Sequence, residues 1–147
     1  MATCKDCKRD GITSARPAPH PGPRCVTHHR AEKKRRSARA HALRTEATYG
    51  ITGEEYQALY ASQGGRCYIC ERATGKTKRL AVDHDHYKGC GHDPKTGCRN
   101  CVRALLCGPC NQMLGTMSPK SLARAITVLV HPPAQAVLAI TSTEGNN

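Results

Sequence analysis

Cys67-Tyr68-Ile69-Cys70, then Leu80-Ala81-Val82-Asp83-His84-Asp85-His86, then Cys107-Gly108-Pro109-Cys110-Asn111: these three pieces decide how the chain is read. Each C-x-x-C knuckle brings two thiolates into one tight turn, and two knuckles supply the four soft ligands of a tetrahedral zinc site. Cys67, Cys70, Cys107 and Cys110 are therefore the expected ligands of a structural zinc ion. Such an ion pins together segments that are far apart in sequence. The stretch held between them carries Asp-His-Asp-His, dense in groups that bind hard cations and move protons. Asn111, directly after the second knuckle, adds a neutral oxygen ligand. The expectation is a structural metal framing a second, catalytic metal site.

The rest of the 147-residue chain is poor in the material of an ordinary core. It has no Trp, no Phe and five Tyr, but ten Cys and eight His, so metal ions are expected to supply stability that apolar packing cannot. The start, Met1-Ala2-Thr3-Cys4-Lys5-Asp6, is too polar for a secretory signal. No apolar run approaches the roughly 20 residues that span a bilayer. These features predict a soluble intracellular protein whose cysteines bind metal instead of forming disulfides. The formal charge is +12, and one Cys4 and two Cys3His zinc sites would remove 2, 1 and 1 charges, leaving +8. A nucleic acid is the expected partner, not a membrane, and the scarcity of aromatic rings favours duplex phosphates over stacked single strands.

Two further ligand sets flank the central one. Residues 1–29 hold Cys4, Cys7, Cys25 and His28 in a C-x2-C-x17-C-x2-H pattern suited to a small zinc knuckle, with His29 as an alternative to His28. Pro17, Pro19, Pro21, Gly22 and Pro23 lead us to expect no regular helix in this segment. Cys90, His92, Cys98 and Cys101 form C-x-H-x5-C-x2-C, a second possible zinc set, for which His86 can compete. Up to three zinc ions are therefore expected.

From Arg30 to Thr48 the composition favours helix, and Arg30, Lys33, Lys34, Arg35, Arg36, Arg39 and Arg44 face almost no acidic residues. We read this run as a phosphate-contacting helix. Thr52 with Glu55 makes a capping box, Ile51 and Tyr56 sit at the staple positions, and Gly64-Gly65 ends that helix. Leu80–Val82 and Val102–Leu106 read as two strands, and a helix begins at Asn111. Ser118-Pro119 opens another helix, with Leu122, Ala125, Ile126 and Leu129 on one face, before Pro132-Pro133 stops it. The tail from Thr141 is expected to be disordered.

Hydrolysis of a phosphodiester needs a base to deprotonate water and a cation to neutralise the charge that builds on phosphate and leaving oxygen. His is the natural base, and Mg²⁺ needs few protein ligands because it keeps water and substrate oxygens. Asp83, His84 and Asn111 supply those parts if the zinc ion brings residue 111 beside residue 83.

C-Y-I-C, V-D-H-D-H and L-L-C-G-P-C-N, preceded by Y-G-I-T-G-E-E-Y-Q-A-L-Y-A-S-Q-G-G-R-C, resemble the phage recombination endonuclease VII family of HNH (His-Me finger) nucleases, over residues 49–117. The resemblance implies that Asp83 and Asn111 hold the catalytic Mg²⁺, that His84 is the general base, and that His86 supports the site. It implies zinc on Cys67, Cys70, Cys107 and Cys110. Two departures stand out: the Cys-rich loop is longer than the family's usual connection, and Leu114 stands where some members carry an acidic residue.

The expected fold is a small zinc-stabilised α+β protein with a ββα-metal core and flanking helices. Its expected layout is a knuckle at 1–29, a basic helix or linker at 30–48, the nuclease domain at 49–117, and a helix with tail at 118–147. The expected activity is Mg²⁺-dependent cleavage of branched DNA, such as Holliday junctions, by a homodimer in the cytoplasm of an infected host cell. A nicking, packaging or homing nuclease acting on linear DNA is an alternative. A non-catalytic zinc module that binds nucleic acid is the alternative from another class.

Overall fold

A computed structural model describes residues 3–13, 16–86, 91–93, 95–135 and 138. Cys90 and the tail from Thr141 lie outside the described residues. The chain forms two compact units that interleave along the sequence. One takes Met1–Gly65 and Val82–Leu105, and the other takes Arg66–Ala81 and Leu106–Asn147. The architecture is α+β, with one two-stranded sheet.

In the first unit, α1 (Lys5–Arg9) and α2 (Val26–Tyr49) contradict the expectation that residues 1–29 hold no regular helix. The proline-rich run occupies only residues 17–23, and both flanks wind into helix. The reason lies in the ligand spacing. Cys4 is the N-cap of α1 with Cys7 at its third position, and Cys25 is the N-cap of α2 with His28 at its third. Residues three apart share a helix face, so each pair points one way. The basic helix accordingly starts four residues before Arg30.

That helix ends at Gly50 in the left-handed conformation (φ 66°), and Ile51 leads into α3 (Gly53–Ser62). The capping box is present: Glu55 N–H donates to Thr52 Oγ1 at 3.2 Å, and Thr52 N–H donates to Glu55 Oε2 at 2.8 Å. Ile51 and Tyr56, the staple pair, are both buried. α3 packs on α2 where Gly53 faces Ala42; a Cβ at Gly53 would lie 2.7 Å from that of Ala42, so only glycine permits this approach. At its far end, Gln63 reaches β2. Its amide donates to Leu105 O and accepts from Leu105 N–H, both at 2.8 Å.

The sheet consists of β1 (Ala81–His84) and β2 (Val102–Leu106), with a 3-10 turn at Arg99–Cys101 leading into β2. Asp85 N–H donates to Cys101 O at 2.8 Å while Asp83 pairs with Arg103, so the strands run in opposite directions. β1 extends further than the expected Leu80–Val82 and carries Asp83 and His84 within it.

The second unit opens on a knuckle closed by Cys67 N–H to Ala73 O at 2.8 Å and Glu71 N–H to Cys67 O at 2.9 Å. Glu71 there takes a left-handed φ of 52°. α4 (Gly108–Thr116) starts before the expected Asn111 and repeats the earlier pattern, with Cys107 as N-cap and Cys110 at the third position. α5 (Pro119–Val130) is capped by Ser118, whose Oγ accepts from Ser121 N–H at 3.1 Å. Its apolar face is largely exposed, Ile126 by 62% and Leu129 by 82%.

Among the described residues, five of the eleven buried apolar positions are cysteines: Cys4, Cys7, Cys25, Cys67 and Cys101. Every one belongs to a cluster able to hold metal, so the core is partly built of ligands. No helix among the described residues is long and apolar enough to cross a membrane.

Candidate functional site

Three groups of soft ligands converge. In the second unit the sulfurs of Cys67, Cys70, Cys107 and Cys110 all lie within 4.8 Å of one another, with Cys70 and Cys107 3.8 Å apart. Backbone N–H groups of Ala73 and Arg72 bring the Cys70 thiol down to about 6. Burial, together with the other three sulfurs, pushes Cys110 up to about 12. Four crowded sulfurs cannot all ionise against their own repulsion, whereas a thiophilic dication lets them. The donor set fits zinc.

In the first unit Cys4, Cys7, Cys25 and His28 form a comparable group. His28 Nδ1 lies 3.3 Å from the sulfurs of Cys4 and Cys7 and 3.4 Å from that of Cys25, and Cys7 and Cys25 are 3.8 Å apart. The remaining ring nitrogen, Nε2, is 3.3 Å from Asp10 Oδ2. A carboxylate behind a metal-binding imidazole fixes its tautomer and orientation. His29 turns away and stacks on His20, with ring centroids 4.2 Å apart. Burial raises Cys4 but the N–H groups of Cys25 and Cys7 and the His28 ring outweigh it, bringing that thiol down to about 6. Asp10 was not singled out in the sequence; a carboxylate three residues after Cys7 is its only mark there.

The third group lies between β1 and β2. His92 Nε2 is 3.0 Å from Cys101 Sγ, and Cys98 Sγ is 3.3 Å from the same sulfur. These three fit a metal ion; Cys90, the fourth expected ligand, lies outside the described residues.

Asp83 and His84 sit in the first unit and Asn111 in the second. Asp83 is buried and its two carboxylate oxygens accept from Arg103, Nε to Oδ2 at 2.7 Å and Nη2 to Oδ1 at 3.1 Å. Sequence reasoning missed Arg103. The signal was its alternation within β2, but strand register cannot be read from one strand alone. The Asp83 carboxylate in turn holds the Arg103 guanidinium above its ordinary range.

The imidazole of His84 packs between Tyr49 and His86, with centroids 5.3 and 4.3 Å away. Burial, helped by His86, holds it below the ordinary histidine range, so it is neutral at pH 7 and can accept a proton. Its Nε2 is buried with no hydrogen-bond partner, and so is Asn111 Oδ1. Buried polar atoms rarely lack partners without a functional reason. His86 is exposed, two residues beyond the end of β1.

Residues 42–131 match the sequence profile of recombination endonuclease VII. The chain is also similar to the gene 59 protein of Mycobacterium phage D29, with 52% identity over 138 residues, 92% of this chain and 77% of that protein. The gene 59 protein of Mycobacterium phage L5 is 50% identical over the same coverage.

Proposed function

The chain belongs to the recombination endonuclease VII family, and on that premise we propose that it cleaves branched DNA, Holliday junctions included, with Asp83, His84 and Asn111 as its active residues. Membership implies a nuclease with DNA as substrate. The observation that carries the finer reading is the neutral, half-buried His84 imidazole, whose buried Nε2 has no partner, next in sequence to the buried Asp83 carboxylate. A neutral ring nitrogen is what a general base requires: it takes the proton as water attacks phosphorus. β1, β2 and α4 are proposed as the ββα finger of an HNH nuclease.

Asp83 and Asn111 would hold a divalent cation such as Mg²⁺. The unpartnered Asn111 Oδ1 fits that role. Asp83 fits as well, because a carboxylate has about four acceptor sites and Arg103 uses two. Bound there, the cation would neutralise charge on the phosphate and leaving oxygen. Arg103 keeps the carboxylate oriented and His86 lies against the base.

Zinc is the proposed metal of all three soft clusters, with Cys90 as fourth ligand of the third. The proposed layout keeps a knuckle at 1–29, the nuclease at 49–117, and a C-terminal helix beyond. One active site cuts one strand, so a two-fold homodimer is proposed for paired incisions. The proposed location is the cytoplasm of the infected host cell, where the DNA is.

The test uses a four-way junction and a supercoiled plasmid, with Mg²⁺ and with EDTA. His84→Ala should lower the cleavage rate by about 10²- to 10⁴-fold without changing DNA affinity. A His84→Ala protein that cleaves normally refutes the assignment. Equal cleavage of linear duplex and junction by a monomer would favour a nicking enzyme.

A further inference from the structure

The connection between β1 and β2 has no part yet in the proposed chemistry, although it carries a soft-ligand cluster and touches the base. Gly97 lies against the His84 ring. A Cβ at Gly97 would stand 3.1 Å from His84 Cδ2, 3.2 Å from His84 Cγ and 3.0 Å from Tyr49 Cδ1. The Gly97 backbone is outside the left-handed region, so glycine is needed there for space and not for conformation.

The backbone at this point cannot easily retreat. Gly97 N–H donates to Thr48 O at 2.9 Å, tying the loop to the last turn of α2. The next residue, Cys98, joins Cys101 and His92 in the soft-ligand cluster. Arg99 then pairs with Glu55, which completes the capping box of α3. Cys101 O accepts from Asp85 N–H, which follows His84 directly. The loop is thus fastened on both sides of the histidine.

We infer that Gly97 is a positioning residue for His84, and that a thiophilic dication on His92, Cys98 and Cys101 holds Gly97 against the imidazole. The inference rests on the reading of His84 as the base. Added volume in a packed contact shifts whichever partner is less firmly held. With the loop anchored by the cluster and by Thr48, that partner is the His84 ring. The metal would act through the backbone, setting the ring's angle without touching DNA.

The experiment compares the zinc-loaded full chain with Gly97→Ala, Cys98→Ser and His84→Ala on a four-way junction. Gly97→Ala should lower kcat by about 10- to 100-fold, the range for a small misplacement of a catalytic group, with KM and zinc content unchanged. The NMR ring resonance of His84, identified by its absence in His84→Ala, should shift. Cys98→Ser should lose one zinc ion per chain and lower kcat to a similar extent, which keeps the inference testable if Gly97→Ala fails to fold. A wild-type kcat and an unmoved ring resonance in Gly97→Ala overturn it, as does a Cys98→Ser protein that keeps all its zinc or its full rate. If His84→Ala cleaves normally, the base assignment falls, and the ring resonance alone decides whether Gly97 positions His84.

Discussion

Arg103 grips both carboxylate oxygens of Asp83, at 2.7 and 3.1 Å, from the neighbouring strand. The Asp83 side chain is buried whereas that of Arg103 is 43% exposed, so the pair is anchored on the acid. Arg103→Ala leaves a buried negative charge unpaired, a loss of about 1–3 kcal/mol. A cation bound to Asp83 would compensate. Added Mg²⁺ should therefore raise the melting temperature more in Arg103→Ala than in the wild type, and not at all once Asp83→Asn is added. Equal shifts in all three proteins would rule out Asp83 as a ligand.

Asp10 stands behind His28 in the amino-terminal cluster. Asp10→Asn keeps the shape and removes the charge that supports the imidazole. Zinc affinity at this site should fall by about 10- to 100-fold, measured by competition with a chromophoric chelator. Zinc on Cys67, Cys70, Cys107 and Cys110 should be retained.

The basic helix is less uniformly cationic than its composition implies. Glu32 accepts from Arg35 Nη2 at 2.5 Å and from Arg36 Nε at 2.8 Å, occupying two of the arginines expected to meet phosphate. Glu32→Gln should release them, tighten binding to all DNA, and steepen the slope of log K against log salt by about 1–2, near 0.9 per added phosphate contact. Replacing Lys33, Lys34, Arg35 and Arg36 with Ala should flatten it. Fluorescence anisotropy over a salt series reads both, and an unchanged slope in either removes this helix from the DNA interface.

Gln63 substitutes for a missing strand at Leu105, satisfying its N–H and its carbonyl together. Leu105 is fully buried, so water cannot replace the amide. Gln63→Ala should cost about 1–3 kcal/mol for each group left unpaired. Gln63→Glu, which keeps only the acceptor, should fall between it and the wild type in denaturant midpoint.

Local signals in this chain were readable because their physics is local. The Thr52–Glu55 box, the Ile51–Tyr56 staple, the Ser118 cap and β2 stand where the sequence placed them. The helical flanks of the proline-rich segment are not legible from its composition, because the prolines act only on residues 17–23 and their immediate neighbours. The pairs Cys4–Cys7, Cys25–His28 and Cys107–Cys110 open α1, α2 and α4, whereas Cys67–Cys70, with the same spacing, stands in a turn, so spacing alone does not distinguish the two. Arg103, Asp10 and Gly97 escaped notice for another reason. Each matters through a partner distant in sequence, Asp83, His28 and His84 respectively, so only tertiary register brings them together.

The interleaving of the two units sets an order of events on the ribosome. Cys4, Cys7, Cys25 and His28 emerge almost together and can close on a metal early. Cys67 and Cys70 must wait for Cys107 and Cys110, and Cys70 and Cys107 are separated by 37 residues of synthesis. At about 5–20 residues per second that wait lasts roughly 2–7 seconds. During it two thiols stand open to oxidants and to whichever soft metal arrives first. The chain crosses between its units at 65/66, 81/82 and 105/106, so neither unit is complete until the last of these has passed. Messages truncated between residues 70 and 107 should therefore yield chains with the Cys4, Cys7, Cys25 and His28 set complete and with Cys67 and Cys70 lacking their partners Cys107 and Cys110.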